Sequence, residues 1–384
     1  MSSATDLAAP RPQAPPAGPP GRGRPVSRIL VIMVAAVLAQ LALVAAFTGV
    51  LRNPTLQSAS VGLVAHGPAA GAALPGITYQ PLAGPAAARQ QVADGSLPGA
   101  LVASGTRQTL YIDGASGPSL TAALEAEFGA AAQRESAHLT VRDLRPLPAS
   151  DPRGLGTFLL GIGWVIGGYL GVTLLSRALG PRARTRRGTL VLLGCTLAYS
   201  ALSAVAGVAL MDPVLGVLTG APGQLIGAGT LIVFAVATFT AALMSLLGMP
   251  GLIVAVGTLV ILGNPTSGGA APVEMMTGGW RFLAHVLPTN AGVSFIRSFA
   301  YLHGNQVNDP LTVLLIYTAA SVLILLGLAI RRGAARPAAP AVTVTPASTA
   351  STAGRASTAS TASTASTAST ASTASTASTA SAPA

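Results

Sequence analysis

The 23 residues from Ile29 to Leu51 contain no charged side chain, and this run constrains the chain more than any other feature. A helix rises about 1.5 Å per residue, so the run reaches roughly 34 Å against a hydrocarbon core of about 30 Å. Such a segment spans a bilayer. A cleaved signal peptide carries an apolar region of only about 7–15 residues before a small-residue site. This run is longer and no clear A-x-A site follows it, so it reads as an uncleaved anchor.

Five further charge-free runs follow a long polar interval: Leu155–Ser176, Thr189–Met211, Leu225–Met249, Gly251–Gly263 and Leu311–Ile330. The fifth run of the six has 13 residues and reaches only about 20 Å as a helix, which makes it a half-span or a re-entrant segment. Arginine placement argues that it counts. With six crossings and the amino terminus in the cytoplasm, the cytoplasmic pieces hold thirteen arginines and one acid, Asp6. The other pieces hold nine arginines and ten acids, the asymmetry of the positive-inside rule. Without the fifth crossing, Arg331 and Arg332 fall on the wrong side.

The expected fold class is therefore an α-helical polytopic membrane protein of six spans in a bacterial cytoplasmic membrane, both termini cytoplasmic. Composition agrees, since only 9% of residues are charged, where soluble domains carry about 25%. The net charge of +11 sits largely in the flanks of the spans, so it argues for membrane lipid and not for nucleic acid. All 22 basic residues are arginine. Without a lysine there is no P-loop, Schiff base or lysine general base. The single cysteine, Cys195, excludes an internal disulfide and reads as a small packing residue in an apolar run.

Residues 1–28 are rich in Pro, Ala and Gly and read as disordered, as does the tail 333–384 with its S-T-A triplet repeat, because neither offers a core. Residues 52–153 alone can fold as a soluble unit, expected to be an α/β extracytoplasmic domain. Strands are predicted at Val61–His66, Ile77–Pro81, Ala100–Ser104, Gln108–Asp113 and Leu139–Leu144, with helices at Pro85–Ala93 and Pro118–Ser136. In the second helix Leu120, Leu124 and Phe128 recur four apart on one face, and Pro118 suits a first turn.

Catalytic signatures are missing: there is no G-x-S-x-G, no H-E-x-x-H and no acid within the six apolar runs. The last point argues against a secondary antiporter, whose proton or sodium path needs an intramembrane acid, and leaves for such a role only acids at the span edges, such as Asp212 and Glu274. His285 and His303 lie 18 residues apart without cysteine or acid partners and read as ordinary polar residues. Tyr169, Thr173, Tyr199, Ser200, Ser203, Thr238 and Thr240 stand in the spans as candidate pathway residues, or simply bond their own helix backbones. Gly163 and Gly167 have small-x-x-x-small spacing, read first as packing within the chain and second as a dimer seam. Arg182, Arg184, Arg186 and Arg187 serve topology or the docking of a coupling subunit.

The most informative stretch runs from Asn264 to Tyr301 in an expected external interfacial loop, 264–310. The turn Asn264, Pro265, Thr266, Ser267, Gly268, Gly269 is followed by an apolar run with Trp280, Arg281, Phe282 and Arg297. Aromatics flanked by arginines suit a segment lying at a bilayer surface, so this is expected to be a collar and candidate external gate.

Together the amino-terminal span, the external A-D-G-S-L-P-G-A-L-V (93–102) and Y-I-D-G (111–114), and the five later spans resemble type-2 ABC exporter permeases. The N-P-T-S-G-G turn, the later L-P (287–288) and Arg297 are similar to the carboxy-terminal pattern of the phage infection protein and type VII secretion accessory group. The resemblance covers roughly residues 28–332 at the level of architecture. It implies a non-enzymatic exporter subunit that forms a homo- or heterodimer and uses a separate ATPase, with ATP on that partner and no cofactor in this chain. In place of the exporters' cytoplasmic amphipathic helix this chain has a Pro-rich segment. The alternative is a non-transporting envelope protein whose external domain binds a partner.

Overall fold

The computed structural model describes residues 23–52, 55–66, 74–180, 185–218 and 220–334. All of them fall in one compact unit, 1–336. The predictions for residues 1–22, for Arg182 and Arg184, and for the S-T-A tail lie outside the described residues.

The first helix, α1, spans Gly23–Leu51. It thus starts six residues before Ile29, within the segment read as disordered. Next comes an α/β layer: β1 Ala59–His66, β2 Ile77–Pro81, α2 Pro85–Ala93, β3 Gly99–Ser104, β4 Arg107–Ile112, α3 Pro118–Arg134 and β5 His138–Asp143. The strands form one sheet in the order β2-β1-β3-β4-β5. Every neighbouring pair is parallel except the β3–β4 hairpin, where Gly99 lies opposite Ile112 and Ser104 opposite Arg107.

Strand alternation sorts the side chains by face. Val61, Leu101, Leu110 and Ile112 meet Leu120, Leu124 and Phe128 of α3 on one face. Val64, Ala100 and Tyr111 meet Ala88 and Val92 of α2 on the other. Both helices begin with proline, whose fixed φ and missing N–H suit a first turn. The sheet is therefore sandwiched between two helices.

Seven α-helices follow among the described residues: α4 Gly156–Leu179, α5 Arg186–Ala209, α6 Pro222–Leu247, α7 Met249–Val256, α8 Gly278–Val286, α9 Pro288–Ala300 and α10 Asn308–Ala334. A π-turn extends α5 over Leu210–Val214, and another extends α7 over Gly257–Leu262. Among the described residues five helices are long and apolar enough to cross a membrane: α1, α4, α5, α6 and α10. The predicted fifth segment is the apolar Met249–Leu262, which at 14 residues is shorter and reaches about 21 Å. It folds back directly on α6, turning at Gly248, whose φ of 73° favours glycine. Gly251 sits so close to α6 that a Cβ there would lie 2.1 Å from the Leu243 carbonyl oxygen.

The sequence reading took the aromatic-arginine run as one surface collar. The structure divides it at Pro288. Helix α8 does present Phe282 and Val286 outward, but α9 is mostly buried, with Asn290, Ala291, Val293, Phe295, Ile296 and Ser298 turned inward. Pro288 removes an N–H and forces Leu287 into extended backbone, so the second half points into the bundle.

Small residues set the bundle. Half of α6's apolar window is buried against 11% for α1, making α6 the central helix and α1 peripheral. Trp164 of α4 lies between Gly207 of α5 and Gly229 of α6, where added Cβ atoms would approach its ring to 2.6 and 2.5 Å. Its Nε1 donates to the Ser203 carbonyl at 3.2 Å. Close helix approach through glycine is how apolar helices associate where lipid supplies no hydrophobic drive. Gly163 meets nothing within 4 Å, so the predicted Gly163/Gly167 pair is not a seam within this chain. Only Gly167 is used, beside the Tyr199 hydroxyl. Cys195 is exposed and does not pack in the core as expected.

Candidate functional site

The site is built where α7 ends. The turn 264–269 closes on itself: Thr266 Oγ1 donates to the Leu262 carbonyl at 2.7 Å and Ser267 Oγ to the Asn264 carbonyl at 2.7 Å. Pro265, Thr266, Ser267 and Gly268 are buried. Gly268 has a φ of 75°, which only glycine adopts readily. Gly269 lies against Phe158 of α4, where a Cβ would come within 2.1 Å of the ring. Asn264 Oδ1 is buried with no partner among the described residues.

Helix α9 holds the π-turn and the turn that follows it, at one point each. Thr289 Oγ1 donates to the Leu259 carbonyl in the π-turn at 3.2 Å, and Arg297 Nη2 donates to the Gly268 carbonyl at 3.2 Å. Sequence reading proposed Gly268 and Arg297 as gate residues 29 positions apart; the structure joins them. Trp280 lies elsewhere, against Gly49 of α1, its ring 3.0 Å from where a Cβ would stand. Arg281 is half-buried and its Nη1 has no partner among the described residues. His285 Nδ1 contacts the Arg281 carbonyl at 2.7 Å, within α8.

The α/β layer sits over this corner. The Glu274 carbonyl accepts from the Gln57 and Ser58 N–H groups at 2.9 and 3.1 Å, and Gln306 Nε2 donates to the Gly95 carbonyl at 2.8 Å. Between the two parts lies a cavity of about 320 Å³, reached by Asp113, Glu274, Asn290, Arg297 and Asp309. Two smaller ones, of about 220 and 200 Å³, adjoin it through Gly268 and Arg297 and through Ala115.

Charge in this corner is unevenly matched. Asp113 pairs with Arg145 and also accepts from the Ala115 N–H at 3.1 Å and from Ser116 Oγ. Its carboxylate is thus committed to its own turn. Arg297 Nε is buried with no partner among the described residues. Burial lowers the Arg297 pKa from the usual guanidinium range, and the nearby Glu274, Tyr301 and Asp113 partly restore it.

The candidate pathway residues serve the helices. Thr173, Ser200, Thr238 and Thr240 each donate to a carbonyl four residues back, at 2.6, 2.8, 2.8 and 2.9 Å. The Tyr199 hydroxyl donates to the Gly167 carbonyl at 3.0 Å. Neither these nor Tyr169 or Ser203 lines any of the three cavities. Arg186 and Arg187 open α5, whose Thr185 cap accepts from the Gly188 N–H at 3.0 Å. Among the described residues no group of three or more His, Cys, Asp or Glu is placed to hold a metal.

Sequence reading named Glu274 only as an acid at a span edge, and missed Asp113, Asn290 and Asp309 as site residues. Only the Y-I-D-G motif carried a signal, through Asp113. Comparison with protein families, curated proteins and solved structures returns no match for this chain.

Proposed function

We propose that the chain is the membrane permease subunit of an ABC-type exporter, moving an amphipathic molecule with energy from a separate ATPase. The observation that carries this reading is the broken helix α7. A short apolar helix folds back on α6, ends in a π-turn and an irregular segment, and that segment lines cavities. In a membrane, non-helical backbone is tolerated where it is covered by protein or faces a water-filled space, and broken helices mark transport sites. The cavities under the α/β layer form the exit, with α9 and the 264–269 turn as its movable wall.

Charge supports the orientation. Arg177, Arg186, Arg187, Arg331 and Arg332 gather at the bundle end away from the sheet, where Arg332 Nη2 donates to the Ser245 carbonyl at 2.6 Å. By the positive-inside rule that end is cytoplasmic and the sheet lies outside. Helix α7 with its π-turn completes the sixth crossing as a half-span, and two such subunits enclose the path.

The test deletes residues 264–269 and compares efflux of amphipathic fluorescent dyes and short-chain fluorescent lipids from cells carrying the variant with that from cells carrying the native chain. The reading expects insertion to persist and efflux to stop. Unchanged efflux would sink it, leaving the envelope-partner reading of the external domain.

A further inference from the structure

The cavity of about 320 Å³ holds opposite charges that do not meet. Arg297 lines it, and so do Glu274 and Asp309. Among the described residues the one ion pair closer than 4.0 Å is Arg145 with Asp113, so neither acid closes on Arg297. Arg297 is the costly member: its Nη2 reaches the Gly268 carbonyl but its Nε is buried with no partner among the described residues, whereas Glu274 is half-buried and Asp309 exposed, and a desolvated charge is costly unless its hydrogen bonds are satisfied. A ligand relieves this arrangement by supplying the complement of each charge.

The sign of that ligand follows from the same three residues. A simple anion at Arg297 is repelled by Glu274 and Asp309, and a simple cation at the acids is repelled by Arg297. A zwitterion satisfies both. The cavity of about 320 Å³ is at the small end of ligand sites, about 300–1,000 Å³, which suits a head group better than a whole lipid. Its apolar walls come from Ala284 of α8 and Val313 of α10, and α8 also turns Phe282, 67% exposed, outward. An acyl chain attached to the head group therefore has an apolar way out.

We infer that this cavity binds a zwitterionic amphiphile head group, with its phosphate or carboxylate at Arg297 and its ammonium between Glu274 and Asp309. The inference deepens the permease reading by naming the class of molecule moved, and depends on that reading for movement but not for binding.

The test is native mass spectrometry of the detergent-purified intact chain offered phosphatidylethanolamine or phosphatidylglycerol. The zwitterionic lipid is expected to be retained about tenfold better, and Glu274→Gln to bring the two near parity by loss of the ammonium partner. The Glu274 side chain makes none of the hydrogen bonds that join it to Gln57 and Ser58, which use its carbonyl, so this variant keeps the fold. Arg297→Gln is expected to release both lipids.

Calorimetry with free phosphoethanolamine separates the sources: binding assigns the head group alone as sufficient, and no binding alongside a lipid preference assigns the lipid. Either pattern upholds the charge pairing. Equal retention of the two lipids by the native chain, or a preference untouched by Glu274→Gln, would overturn it. If that happens while efflux still depends on 264–269, this inference fails alone. If the preference is present and no efflux is measurable, the permease reading fails and the site stands.

Discussion

The Tyr301 hydroxyl donates to the Asp151 carboxylate, which also accepts the Leu155 and Gly156 N–H groups at 3.0 and 2.8 Å. One carboxylate thus caps the start of α4 and ties down the end of α9, joining residues 150 positions apart. Burial, and then Asp151, push the Tyr301 pKa far above the usual phenol value. The folded chain therefore holds this proton more tightly than the unfolded chain. The resulting stability is fully present below about pH 10 and is lost as pH climbs from there toward the folded value. Thermal unfolding in detergent is expected to show an alkaline decline above about pH 10 that Tyr301→Phe flattens. At neutral pH the same variant is expected to cost about 1.5–3 kcal/mol, the range for a hydrogen bond to a charged group. An unaltered alkaline limb in Tyr301→Phe would assign the decline to other groups.

Trp164 supplies a packing test. Gly207→Ala or Gly229→Ala drives a methyl into its ring, and each is expected to lower stability by about 1–3 kcal/mol through overpacking. Trp164→Phe is expected to recover part of the loss in either background. Gly163→Ala, which meets open space, is expected to leave the melting temperature unchanged or slightly raised. Equal losses in all three glycine variants would mean that helix glycines act here through the backbone and not through Trp164.

The hairpin between α6 and α7 is equally exposed to test. Gly251→Ala puts a methyl on the Leu243 carbonyl, and the two helices must part to admit it. The expected result is a stability loss of about 1–3 kcal/mol, with raised protease sensitivity near Gly248. Gly257→Ala, one turn and a half further along with nothing within 4 Å, is the matched control. A harmless Gly251→Ala would show that α7 does not lean on α6.

Much of this architecture was legible in the residues. Both helices of the α/β layer start where they are predicted, at Pro85 and Pro118, and Pro118 suits a first turn, as expected. The strands stand in the short β-rich stretches that predicted them, and the long apolar helices follow from the absence of charge. Helix α9 was misread because arginines beside aromatics suit a bilayer surface, and nothing local says that Arg297 turns inward to the Gly268 carbonyl. The cavity was hidden for a different reason. Asp113, Glu274 and Asp309 are far apart along the chain, and they come together through the return of the 272–276 segment to residues 57–58, just before β1, and the reach of Gln306 to Gly95. Tertiary contacts of that kind leave no periodicity to read.

Orientation has its own check. In a Cys195→Ala background, Glu125→Cys on the exposed side of α3 and Ala178→Cys near the end of α4 report opposite ends of the bundle. An impermeant maleimide applied to intact cells is expected to label the first and to reach the second only after the membrane is opened. The reverse pattern would invert the topology and place the junction cavity in the cytoplasm.

The central claim, that this chain works as an exporter subunit, is tested most directly by purifying it gently from its native membrane and weighing what comes with it. The account predicts a stoichiometric companion with a nucleotide-binding P-loop, whose ATP hydrolysis rises when the pair is reconstituted with zwitterionic amphiphile. Recovery of envelope or secretion proteins in fixed ratio, with no ATPase, would contradict it and make the α/β layer the working part.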